Sequence, residues 1–223
     1  MQKCCFYKEM LSRGDLSVGA RVLWSWLVSE AVECCDGGIG GLEGWLTDHS
    51  NVIKLEGVGY ASMPDEVGLS RSTFQRRVAE LRDAGVFVEG ALYCSVEMLR
   101  GGYFELKRDS RFASVEERVL YSWLVDRCEW SGASIIWVSN QYISKVLGLS
   151  VAMVRKYKTR MFSNGLLEVY HPRRGSYYTA VPALYKKYGH KVREYDNKVK
   201  RVKVRFDEGS VTDADIMRVN PPF

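Results

Sequence analysis

SVGARVLWSWLVS (Ser17–Ser29) recurs as SVEERVLYSWLVD (Ser114–Asp126), with Ser, Val, Arg, Val, Leu, Ser, Trp, Leu and Val in register and Tyr121 answering Trp24. Self-similarity of this kind marks a duplicated structural unit. A second echo follows each copy: Gly68-Leu69-Ser70 leads to Gly85-Val86-Phe87, and Gly148-Leu149-Ser150 leads to Gly165-Leu166-Leu167. The first echo returns after 97 positions and the second after 80, so the first copy carries 17 additional residues. They fall in the glycine-rich stretch 37–60, which holds Gly37, Gly38, Gly40, Gly41, Gly44, Gly57 and Gly59.

In both copies the apolar residues of the long echo sit at helical spacing: Val22, Leu23, Trp26 and Leu27, then Val119, Leu120, Trp123 and Leu124. These stripes are core. In the second copy Ile135–Val138 is a short β-rich run, after which Ser139 can cap a helix over Gln141–Leu147. The first copy offers Tyr60-Ala61 and then the cap Ser62, with Asp65 three residues on as a near capping box. After each Gly-Leu-Ser turn, Ser70 and Ser150 are placed to cap a third helix, predicted over 70–84 and 150–164, with Gly85 and Gly165 as left-handed terminators. The period then changes to two: 86–94 reads as a hairpin with a very short tip, and 167–179 as a hairpin with a longer, basic tip.

Helix, short strand, helix, turn, helix, hairpin is the order of a winged helix-turn-helix. The expected fold is therefore α+β, with two tandem winged-helix domains at 1–95 and 103–184. A linker at 96–102 holds at most a helical turn, and a C-terminal extension covers 185–223. So short a link limits independent motion, and the two domains are expected to pack as an intrachain pseudo-dimer.

The third helix of each copy is where function enters. Phe74, Val78 and Leu81 share one face and must pack inward. Ser72, Arg76 and Ala79 then point outward, flanked by Arg71, Thr73 and Gln75, side chains that can reach base edges and phosphates in a major groove. A solvated polar face on any amphipathic helix is the structural alternative. The second copy starts apolar, Val151-Ala152-Met153, and carries its cations later, Arg155, Lys156, Lys158 and Arg160; Thr159 joins Arg155 and Lys156 as a candidate DNA contact. Its hairpin tip places Arg173 and Arg174 beside His171, Tyr177 and Tyr178, suited to phosphate or minor-groove contact.

Composition narrows the class. The 223 residues, 46% of them hydrophobic, suffice for two small cores. No apolar run approaches the roughly 18 residues of a membrane span. The expectation is a soluble, cytoplasmic protein with no membrane partner, nucleoid-associated when bound to DNA. The cysteines form adjacent pairs (Cys4-Cys5, Cys34-Cys35) or stand alone (Cys94, Cys128), without CxxC spacing, and are read as reduced structural thiols. The formal charge of +5 is mild, but Tyr185–Phe206 holds nine Lys/Arg against Glu194 and Asp196. There Val202, Val204 and Phe206 alternate with Lys203 and Arg205, the pattern of a strand with one basic face. Lys200, Arg201 and Lys203 join the candidate DNA contacts. The following Asp207, Glu208, Asp213 and Asp215 reverse the sign.

The chain resembles the tandem winged-helix proteins of plasmids and phages, the class of replication initiators and replisome organisers with related transcription regulators. The resemblance covers Phe6–Leu184. It rests on the two Gly-Leu-Ser turns and on the paired openings, Phe6-Tyr7-Lys8 before Leu16-Ser17 and Tyr103-Phe104-Glu105-Leu106 before Ala113-Ser114. It implies that Arg71, Ser72, Gln75 and Arg76 read bases in the first unit, and Arg155 and Lys156 in the second. It further implies double-stranded DNA as partner, in replication initiation for a mobile element, with a homo-oligomer or the replication or transcription machinery as further partners. Enzyme signatures are absent. There is no GxxxxGK[ST] and no GxSxG, and His49, His171 and His190 lack metal-ligand spacing, so neither a catalytic residue, a cofactor nor a metal is expected. The alternatives are a transcriptional regulator using the same surface, a winged-helix protein-interaction module, and an architectural binder driven by the basic C-terminal segment.

Overall fold

The computed structural model describes residues 5–49, 51–54, 67–88, 90–170, 178–189, 192–196 and 201–205. In chain order the first repeat contributes β1 (Cys5–Tyr7), a 3-10 turn (Lys8–Ser12), α1 (Val18–Cys34), α2 (Gly38–Asp48), β2 (Val52–Lys54), α3 (Arg71–Asp83), β3 (Phe87–Val88) and β4 (Ala91–Tyr93). Then follow α4 (Val96–Arg100), β5 (Tyr103–Glu105), α5 (Val115–Ser131), β6 (Ile135–Ile136), α6 (Asn140–Leu147), α7 (Val151–Ser163), β7 (Glu168–Tyr170) and β8 (Tyr178–Ala180). A 3-10 turn (Pro182–Leu184), α8 (Tyr185–Tyr188), β9 (Val192–Asp196) and β10 (Arg201–Arg205) complete the described residues. The protein is α+β, built from helices and small antiparallel sheets.

The long echo folds as α1 and α5. Their apolar stripes are buried: Val22, Leu23 and Trp26 in one, Val119, Leu120 and Trp123 in the other. Each echo serine is also engaged, since the Ser25 hydroxyl accepts the Tyr7 N–H (3.3 Å) and the Ser122 hydroxyl accepts that of Lys107 (2.8 Å). The echo arginine is buried in both helices, Arg21 at 1% and Arg118 at 7% exposed. Arg21 donates to the Leu147 carbonyl at 2.6 Å and, at 3.5 Å, to that of Met10; Arg118 donates to the carbonyls of Lys107, the residue at the place of Met10 in the repeat, and of Leu106. Carbonyl acceptors offset much of the cost of burying a guanidinium, although the Arg21 Nε is left without a partner. The echo therefore records a structural latch between each long helix and the segment before it.

Two sheets share one order. The strand after α2 in one repeat and after α5 in the other lies beside the last strand of the hairpin, giving β2-β4-β3 and β6-β8-β7. Ile53 faces Leu92 across the first ladder, and Ile135 faces Ala180 across the second. The paired openings form a third sheet, in which β1 and β5 run antiparallel with Phe6 opposite Phe104 and their rings stacked at 5.1 Å.

The glycine-rich stretch contains a helix, α2, and the strand β2. Four glycines in an eleven-residue helix oppose it by about 1 kcal/mol each relative to alanine. What holds α2 is burial of Leu42 and Leu46, each 1% exposed. The strand and cap expected at Tyr60–Ser62 lie outside the described residues. The expected helical turn between the repeats is α4, capped by Ser95.

Compactness divides the chain elsewhere than the repeat does. One unit comprises Met1–Ser122 with Val146–Gly148, the other Trp123–Lys145 with Leu149–Phe223. The expected linker and the opening of the second repeat belong to the first unit because β5 pairs with β1 there.

Candidate nucleic-acid interface

Both third helices form with the expected caps. The Ser70 hydroxyl accepts the Thr73 N–H and the Ser150 hydroxyl accepts that of Met153, each at the third residue of its helix. Each cap follows a glycine in the left-handed region, Gly68 at φ +75° and Gly148 at φ +65°. That conformation turns the chain sharply between elements at no steric cost to a residue without a Cβ. Leu69 and Leu149, inside the turns, are buried and anchor them.

On α3, Leu81 is buried and Phe74 and Val78 are half-buried, so the packing face is the one the wheel gives. Arg71, Ser72, Gln75 and Arg76 are exposed, while Thr73 is half-buried with its hydroxyl 2.9 Å from that of Ser70. Among the described residues neither Arg71 nor Arg76 is paired with a carboxylate. The neighbouring Arg77 is different, being bound to Glu80 at 2.9 Å. On α7, Val154, Tyr157 and Met161 are buried, and Arg155, Lys156 and Thr159 are exposed. Lys158 falls at the edge of the buried stripe. It is half-buried, its ammonium lies 5.9 Å from the centre of the Phe162 ring, and burial pushes its pKa down to about 8. It is less available for a phosphate than the neighbouring Lys156.

Arg173, Arg174 and Lys200 lie outside the described residues. Arg201 and Lys203 belong to β10, whose partner strand is β9, with Arg201 opposite Asp196 and Lys203 opposite Glu194. The basic segment thus pairs within its own extension, over Arg201–Arg205 where the alternation suggested Val202–Phe206.

Sequence reasoning missed Glu80. Its carboxylate accepts the Ser17 N–H and, at 2.8 Å, the Ser17 hydroxyl. The signal was available, because the residue at the third helical position is Glu117 in the second repeat and Ala20 in the first. The N-terminus of α1 therefore has no carboxylate of its own. Among the described residues no group of three or more His, Cys, Asp or Glu could hold a metal ion, and no helix is long and apolar enough to cross a membrane. Comparison of the chain with protein-family models, with curated proteins and with solved structures gives no match.

Proposed function

We propose that the protein binds double-stranded DNA sequence-specifically, each repeat acting as a winged helix-turn-helix with α3 or α7 as its recognition helix. One observation carries this reading. The exposed side of α3 over its first turns is polar and cationic, and that of α7 is cationic beyond an apolar first turn that exposes Ala152 and Met153, with no carboxylate in either stretch. Residues 70–79 expose Arg71 and Arg76 and contain no acid, and α7 exposes Arg155 and Lys156 and contains no acid. A merely solvated helix face mixes signs, which stabilises it through neighbouring ion pairs. A face of one sign is disfavoured by self-repulsion unless an anionic partner meets it.

The local architecture supports the same reading. Each helix follows a left-handed glycine turn and is followed by a hairpin whose last strand joins an earlier strand of the same repeat, β2 or β6. Such a frame holds a helix by its apolar side and leaves its N-terminal half free for a groove. Within this reading we assign the protein to origin recognition, the role the family resemblance implies.

The test is selection of bound sequences from random duplex DNA by the full chain. The expected result is a defined motif whose enrichment is lost in Arg76→Ala. A uniform pool, or a motif indifferent to both Arg76→Ala and the Arg155→Ala, Lys156→Ala pair, would overturn the reading. Origin recognition adds the expectation that the selected motif confers replication on a plasmid when the protein is supplied. Binding without replication would leave regulation of transcription as the role.

A further inference from the structure

The second unit carries an aromatic cleft that the DNA reading does not use. A cavity of about 180 Å³ opens between the C-terminal half of α5 and the start of α6, lined by Trp123, Arg127, Trp130, Trp137 and Tyr142 with Ile136 at its base. The Arg127 guanidinium lies 5.8 Å from the Trp123 ring centre and 5.9 Å from that of Trp130; its Nη2 makes a long 3.4 Å ion pair with Asp126, and its Nε is buried without a hydrogen-bond partner. Trp130 is 58% exposed. Large apolar groups left in water at a concave site mark a binding surface more often than a folding error.

The duplication says what kind of occupant fits. Trp123, Arg127 and Trp130 stand where the first repeat has Trp26, Glu30 and Glu33. In the first unit the matching groove, between the C-terminal half of α1 and the strand β2, is lined by Glu30, Ala31 and Ile53 and walled by Gly41, Leu42 and Trp45 of α2. There the 17 extra residues supply a helix that buries Leu42 and Leu46 beside the long helix. The second repeat lacks those residues. Its groove is the more aromatic of the two, yet no helix among the described residues covers it.

We propose that this cleft is the docking site for an amphipathic helix of a partner protein, which seats one large apolar side chain in the cavity and offers a carboxylate to Arg127. The size agrees, since an apolar cavity of about 150 Å³ accommodates a benzene ring. A helix laid in such a groove presents its anchors three or four residues apart, the spacing of Leu42 and Leu46. The Trp123–Arg127–Trp130 stack has the composition of an energetic centre of an interface, where tryptophan and arginine predominate. The replacement of Glu30 by Arg127 puts a cation at the rim, the charge that suits an acidic helix such as α2, which carries Glu43 and Asp48 and no Lys or Arg.

The experiment pans a displayed library of random fifteen-residue peptides against the full chain and measures the winners by fluorescence anisotropy. Enriched peptides are expected to pair large apolar residues three or four positions apart with an Asp or Glu. Trp130→Ala should weaken them about tenfold or more. Arg127→Glu should weaken them likewise, and changing the peptide's acid to Lys should restore binding to that variant, a rescue that misfolding cannot imitate. Circular dichroism and retained duplex-DNA binding check that both variants are folded. Absence of enrichment, or winners indifferent to Trp130→Ala and Arg127→Glu, overturns the proposal. So does a shift of the chain from dimer to monomer on Trp130→Ala, which would make a second copy the occupant, or winners that reproduce residues 206–223, which would make it the chain's own tail.

Discussion

The carboxylate of Glu80, on the third helix of the first repeat, caps the first helix of that repeat by accepting both the backbone N–H and the hydroxyl of Ser17. In the second repeat the same work is local. Glu117 accepts the Ala113 N–H at 2.9 Å while the Ser114 hydroxyl accepts the Glu117 N–H at 3.2 Å, a variant of the capping box in which the residue before the cap is the donor. With Ala20 in place of a glutamate, α1 recruits its carboxylate from α3 instead. The helix proposed to meet DNA is thereby tied to the core through its far end, with Arg77 bound to the same carboxylate.

Glu80→Gln should therefore lower the stability of the first unit by on the order of 1–2 kcal/mol, the scale of a lost cap with its charge-assisted bonds. The pH dependence has a definite sign. Partial burial raises the Glu80 pKa, but the Ser17 N–H, the Ser17 hydroxyl and Arg77 outweigh it and the net shift is downward. A carboxylate with a depressed folded pKa stabilises fully above its unfolded value of about 4.3, and that stabilisation disappears as pH falls through the folded value. Urea melts of the wild type and the variant should thus differ at pH 7 and converge below about pH 4. A constant difference across that range would remove the ionised carboxylate from the account.

On the DNA-binding reading, Arg76→Ala should cost roughly 1–3 kcal/mol of affinity for the selected motif if the guanidinium meets a base. The Arg155→Ala, Lys156→Ala pair should weaken all duplexes and flatten the dependence of log K on log salt by about one unit per lost phosphate contact. Titrations at several salt concentrations separate these outcomes. A change of sequence preference in the α7 pair at constant salt slope would make α7 a base reader instead.

How much of this was legible depended on the range of the interaction. The ends of α3 and α7 could be read because cap, glycine turn and terminator act within a few residues, and the exposure of Arg71, Arg76, Arg155 and Lys156 follows from the helical wheel alone. Lys158 was counted among the basic residues without notice of its place between Val154 and Met161, which half-buries it. The pairing of β1 with β5 joins residues about a hundred apart, and only the similarity of the two openings hinted at it. Nor was α2 visible, because its glycines argue against a helix and its support comes from tertiary burial of Leu42 and Leu46. The hairpin-tip arginines Arg173 and Arg174 lie outside the described residues, and their assignment rests on the sequence alone.

Two kinds of glycine in α2 should respond to alanine with opposite signs. A Cβ at Gly41 would overlap the Asp36 carbonyl, so Gly41→Ala must displace the start of the helix and destabilise it. Gly44 has open space around the same position and ordinary helical geometry, and Gly44→Ala should stabilise by about 0.4–1 kcal/mol through the unfolded chain. Thermal melts of both variants check the pair. Equal effects would mean that α2 does not pack as described.

Thiol chemistry tests the two cores separately. Cys94 and Cys128 are both 0% exposed, one beside β4 in the first unit and the other on α5 in the second. Burial pushes the Cys94 thiol up to about 12 and raises that of Cys128 as well, where the nearby Glu129 charge adds to the effect. A buried, protonated thiol is doubly protected, because only the thiolate attacks and the reagent must also reach it. Cys34, at the end of α1, is exposed and open to the reagent. At pH 8 a maleimide or disulfide reagent should label Cys34 within minutes, and Cys94 and Cys128 at least about a hundredfold more slowly, through unfolding alone. Peptide mapping of the labelled chain assigns each rate. Rapid labelling of Cys128 without denaturant would show that the core of the second unit opens locally, whereas the packing of α5 described here requires its protection to persist until that unit unfolds.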